Sequence, residues 1–202
     1  MNAKPSIDDQ ARALAQQLRD SAHPKAPIVV YGSSTVRLWP DIRKSLGRTD
    51  VVAAGFGGAT LRDCLKHYDL IVWPLAPGLL VIAAGANDIE KYDCGPEEIL
   101  ALIVSIIETA RRTQPDLPVA VLTMKPAPFH GPRMATLRAT NTLLEKRLPE
   151  IPGVRLVDIF GPFVDAAGNA DPRFYAEDQR HLNDAGYAAW SAAIAAALPP
   201  AR

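Results

Sequence analysis

Five stretches of the chain are apolar with little or no interruption: residues 28–31 (IVVY), 50–54 (DVVAA), 78–84 (GLLVIAA), 118–124 (PVAVLTM) and 154–159 (VRLVDI). Strict alternation would mark half-exposed strands, whereas continuous runs fit strands covered on both faces, as in parallel sheets. Between these runs the period changes. Ile7, Ala11, Leu14 and Leu18 recur at helical spacing behind Ser6, predicting a leading helix over about 6–20. Pro40 opens and Gly47 closes a short helix over 40–46. Thr60 caps a helix reaching about Val72, and Pro96 begins another whose Ile99, Leu102, Ile103, Ile106 and Ala110 share a face. A helix over 133–148 and one after the Asn183 cap complete the set. Strand and helix alternate five times without a hairpin signal, which predicts a three-layer α/β/α domain on a five-stranded parallel sheet with right-handed crossovers. The chain, 1–202, is expected to form one such domain with its core over about 28–198. Only 161–181 lacks periodicity, and a connection of that length points to function or mobility.

Composition narrows the partners. Lys plus Arg equals Asp plus Glu at 22 each, and no run of like charge breaks the balance, so neither a nucleic-acid footprint nor a membrane-surface patch is indicated. No segment approaches the ~20 apolar residues of a membrane span. Residues 1–27 carry no apolar signal region, so a cytoplasmic location is expected. Cys64 and Cys94 lack metal-ligand spacing and read as two reduced thiols. The expected partner is a small molecule, with no metal or cofactor; oligomeric state is left open.

The chemistry sits just after the strands. In open α/β sheets the site lies beyond the carboxyl ends of the strands, so residues there are the ones that converge. They include Ser34, behind the strand over 28–31, and Gly58, at the end of Gly55-Phe56-Gly57-Gly58. Asn87 follows in Gly85-Ala86-Asn87-Asp88, and the irregular stretch supplies Asp178 and His181. A carboxylate and an imidazole three apart allow one segment to carry a general base and the group that orients it. Singly, each residue has an ordinary alternative: Ser34 capping a turn, Gly58 serving a tight turn, Asn87 closing an Asx-turn, Asp178 simply solvated. Four such residues, all at strand ends and in an order that completes one mechanism, argue against coincidence. His23, His67 and His130 read as satisfied or surface side chains, His130 standing closest to a strand end.

The same four stretches, ending in Asp178-Gln179-Arg180-His181-Leu182-Asn183, resemble the four sequence blocks of the SGNH (GDSL-type) hydrolases, and the match spans nearly the whole chain. The resemblance implies a flavodoxin-like strand order and a serine esterase. It makes Ser34 the nucleophile, His181 the base and Asp178 its partner, with the Ser34 N–H, the Gly58 N–H and the Asn87 amide as oxyanion donors. Two positions depart from the family pattern: Ser33, where an Asp is common, and Ala54, where relatives carry a polar residue. The substrate implied is a carboxylic ester of a short acyl group, with acetyl esters of carbohydrates as one candidate and lysophospholipids or thioesters as alternatives. From a different class, Gly32–Thr35 and the Gly55–Gly58 loop could cradle phosphate in a non-catalytic nucleotide-binding module. That reading lacks the full phosphate-loop spacing and leaves Asp178 and His181 unexplained. Phe56, Tyr92, Phe129, Phe174 and Tyr175 fall in or near loops that could line the mouth of the site.

Overall fold

The apolar runs pair as the pattern predicts. In the computed structural model, which describes residues 5–200, β1 (Ile28–Gly32), β2 (Val51–Gly55), β3 (Leu79–Ala83), β4 (Val119–Leu122) and β5 (Val154–Val157) form one sheet. Their order is β2-β1-β3-β4-β5, and every neighbouring pair is parallel. This is the flavodoxin-like 2-1-3-4-5 order, whose direction of winding reverses between β1 and β3 and opens a crevice beyond their carboxyl ends. Ser34 follows β1 and Asn87 follows β3.

Alternate residues of each strand serve opposite faces. Val29, Tyr31, Leu80, Ile82, Val119 and Val121 are buried beneath α1 (Ile7–Arg19), α4 (Leu61–Ile71), α6 (Pro96–Arg111) and α7 (Met134–Arg147). Val30, Leu79, Val81, Ala120 and Leu122 pack on the other side against α2 (Ser34–Arg37), α3 (Ile42–Leu46) and α8 (Asp184–Ala197). Every residue of β1 and of β3 is buried. Full burial of each aliphatic side chain contributes about 1.5–3 kcal/mol, so the two strands that deliver the candidate site residues are firmly held, as is β4, which is also buried throughout. The leading helix starts where Ser6 accepts the Asp9 N–H, and it buries Ala11, Ala15 and Leu18. Thr60 and Asp63 form a capping box at the start of α4.

Two local expectations are corrected. The helix expected over 40–46 begins at Ile42 with Asp41 as its cap, so Pro40 precedes it rather than occupying its first turn. The fifth strand stops at Val157 because the Asp158 carboxylate accepts the N–H groups of Phe160 and Gly161 and turns the chain. Between the strand over 78–84 and the helix expected from Pro96, the structure adds a helix that the pattern did not predict: Gly85 caps α5 (Ala86–Tyr92). The irregular stretch holds two single turns of 3-10 helix, Gly161–Phe163 and Pro172–Phe174. It also has bridges Val164 to Ala170 and Tyr175 to Leu182. Cys64 and Cys94 are buried and unbridged. Among the described residues, no helix is long and apolar enough to cross a membrane.

Candidate active site

Ser34 is the first residue of α2, two positions past the end of β1, with Ser33 between them as the cap. The Ser33 N–H continues the sheet by donating to Ala83 O at 3.3 Å. The single turn of α2 can lie on the end of β2 because Gly55 has no side chain; a Cβ there would come within 2.4 Å of Arg37 N. From the other side Tyr187 of α8 donates its hydroxyl to Thr35 O at 2.9 Å. The serine turn is thus held by β2, β3 and α8 at once.

The glycine-rich segment makes a tight turn closed by Ala59 N–H to Phe56 O at 3.4 Å, with Gly58 at φ +76°. That backbone region is one that side chains disfavour, which accounts for the glycine. The neighbouring Gly57 N–H donates to Gln10 Oε1 of α1 at 3.0 Å. Lys91 Nζ donates to Gly58 O. Asn87 Nδ2 donates to Ala59 O at 2.8 Å, which fixes the amide and leaves its second N–H free to bond elsewhere. Neither the Ser34 N–H nor the Gly58 N–H finds an acceptor among the described residues. Beside Asn87, Asp88 is fully buried and accepts the Leu61 N–H at 2.8 Å. Desolvation raises its carboxyl to about 6, although backbone N–H groups pull the other way.

The loop before α8 brings the last pair. His181 Nε2 lies 3.1 Å from Ser34 Oγ, across 147 positions of sequence, and His181 Nδ1 lies 2.5 Å from Asp178 Oδ2. Asp178 Oδ1 accepts the N–H groups of Arg180 at 3.0 Å and His181 at 2.9 Å. Partial desolvation works against the ionised form of Asp178, but these N–H groups and the imidazole outweigh it and hold the carboxyl at about 2. The serine, imidazole and carboxylate therefore form one hydrogen-bonded chain, with the carboxylate ionised.

Of the expected mouth aromatics, Phe56, Phe174 and Tyr175 are buried in the core, so only Tyr92 and Phe129 are exposed. Ala54 is core as well. His67 bonds Asp8 at 2.9 Å, His23 bonds Leu18 O, and His130 is buried, with desolvation and the charges of Lys125, Arg180 and Arg133 taking it down to about 4. Sequence reasoning missed the supports: Gln10, Asp88, Lys91 and Lys125, whose Nζ donates to Arg180 O at 3.2 Å. With α5 read as a helix, Asn87 and Lys91 would have stood on one face at i and i+4. Among the described residues, no group of three or more His, Cys, Asp or Glu side chains is gathered as a metal site.

Comparison with known proteins bears on the fold and the family. The chain is 28% identical to the human platelet-activating factor acetylhydrolase IB subunit alpha2, over 93% of this chain and 83% of that protein. A GDSL-like lipase from Bacteroides thetaiotaomicron superposes with a TM-score of 0.78 at 22% identity, covering 95% of this chain and 98% of that one. A carbohydrate esterase family 3 structure from Talaromyces cellulolyticus gives 0.70 at 16% identity, covering 85% and 95%. At such identities the two structures show the shared fold alone. Residues 29–189 match the GDSL-like Lipase/Acylhydrolase family, and with that span of agreement the chain belongs to the family and is an ester-hydrolysing enzyme.

Proposed function

We propose that the chain is a serine esterase acting on esters of short acyl groups through an acyl-enzyme. The observation that carries this reading is the unbroken contact from Ser34 Oγ through His181 to Asp178. His181 Nε2 takes the Ser34 proton as Oγ attacks the ester carbonyl, while Asp178 keeps the proton on Nδ1 and stabilises the imidazolium. The oxyanion is received by the N–H groups of Ser34 and Gly58 and by the Asn87 amide. Collapse breaks the bond to the alcohol oxygen, which takes the proton from His181; water then attacks the acyl-serine with His181 again as base. The acetylhydrolase relative supports the short-acyl reading, and acetyl is the first to test.

The test is labelling with a serine-directed phosphonate beside an ester panel that varies acyl length and includes a thioester and a lysophospholipid. We expect one label, lost in Ser34→Ala together with at least about a thousandfold of turnover, and kcat/KM falling as the acyl chain grows. Undiminished labelling and activity in Ser34→Ala would move the nucleophile elsewhere, Ser33 first. A preference for long acyl chains would overturn the short-acyl assignment.

A further inference from the structure

Between Asp178 and His181 stands a residue the mechanism does not use. Arg180 turns away from the serine and crosses to α5, where its Nη2 donates to Glu90 Oε1 at 2.8 Å. On the way its guanidinium lies over the ring of Phe129, 3.8 Å from the centroid. Glu90 is one helical turn past Asn87 on the same short helix. The ion pair therefore joins the segment that carries the imidazole to the segment that carries the amide, two parts of the chain 90 positions apart.

The histidine segment needs holding. Its Gln179 sits at φ +56°, in the left-handed region that residues other than glycine adopt at a cost unless surrounding contacts sustain it. Three contacts supply that support: Gln179 O accepts the Phe129 N–H at 3.1 Å, Arg180 O accepts from Lys125 Nζ at 3.2 Å, and the Arg180 side chain is anchored at Glu90. The first two act on the backbone from the side of β4. Only the third reaches the oxyanion side.

We propose that Arg180 is a positioning residue: anchored on Glu90 and stacked on Phe129, it sets the distance between the His181 base and the Asn87 oxyanion donor. This rests on the serine-esterase reading above. Catalytic groups that must meet one reacting carbonyl lose much of their effect when their spacing is off by an ångström. The pair's side chains are 33% and 17% exposed, part-buried rather than open to water, so each single change also leaves one charge unpaired and lowers stability, whereas a loss of kcat at unchanged KM belongs to positioning alone. A structural role and a positioning role therefore predict different outcomes.

The experiment is steady-state kinetics and thermal melting of Arg180→Met, Glu90→Ala and the double variant, with Ser34→Ala alongside, on the ester that proves best. We expect each single variant to lose about tenfold in kcat with KM within about twofold and melting within a few degrees of the parent. The double variant should be no worse than the poorer single, because both changes remove one connection. Unchanged kcat in Arg180→Met, or losses that multiply in the double variant, would overturn the brace. So would a rise in KM at constant kcat, which would make Arg180 a substrate contact instead. Activity surviving in Ser34→Ala sinks the serine mechanism; a dead Ser34→Ala beside a normal Arg180→Met sinks the brace alone.

Discussion

Two carboxylates flank the site and are treated in opposite ways. Asp178 stands on an open loop, its side chain half exposed, and gathers two backbone N–H groups and an imidazole. Asp88 is sealed beneath the turn of α5 and meets the Leu61 N–H. The first is held at about 2 and the second raised to about 6. The signs of their linkage to stability differ accordingly. Asp178 contributes stability that is present above the usual carboxylate range and lost as pH falls toward 2. Asp88 binds its proton more tightly folded than unfolded, so its contribution declines as pH rises from about 4 through 6. The lesson is a division of labour between adjacent parts of one site, with charge kept where chemistry needs it and buried where a turn needs a lock.

The largest effect that would sharpen this contrast is expected at Asp178. Asp178→Asn keeps the shape but favours the wrong imidazole tautomer, and kcat should fall by up to about 10⁴-fold, while the melting temperature at neutral pH drops modestly because the ionised carboxylate's contribution is lost there. Kinetics and a melt on the same preparation check it. A near-normal kcat would make Asp178 as architectural as Asp88.

Asn87 and Asp88 separate the two kinds of residue within one peptide link. Asn87→Ala should lose about a hundredfold or more in kcat and kcat/KM with KM nearly unchanged, the mark of a contact made as charge develops on the substrate oxygen. If Asn87 only braces Ala59 O, the variant will melt earlier while the folded fraction turns over normally, and active-site titration distinguishes the two.

The smallest effect is a slope. Asp88→Asn removes a titration rather than a shape, so the melting temperature of the variant should gain on the parent by several degrees as pH is taken from 4 to 7, an effect of at most about 3 kcal/mol. A gap that stays flat across that range would mean that Asp88 does not carry its burial as a shifted ionisation.

These contrasts were unequally visible in the sequence. The strands were legible because parallel burial demands unbroken runs such as Leu79–Ala83; the first three blocks were legible because each ends or follows a strand, and the fourth by its Asp178–His181 spacing just before a helix cap. Helix α5 was not, since it spans only Ala86–Tyr92 and its cap, Gly85 at φ +126°, offers no side chain to announce it. Phe174 and Tyr175 looked like loop aromatics because a 3-10 turn buries them without any period to read. The pairings of Gln10 with Gly57 and of Arg180 with Glu90 join distant positions, and nothing local encodes either partner.

The first of those pairings bears on how the site could be transplanted. Gln10 lies on a helix that supplies none of the reacting groups, yet its side chain receives the N–H of the turn that aims Gly58. A designer copying the serine, glycine, asparagine, aspartate and histidine segments onto another sheet would carry over every proposed participant in the reaction and still leave the glycine turn untethered. The smallest portable version of this catalyst therefore includes α1, which enters the inventory as a jig rather than as a tool.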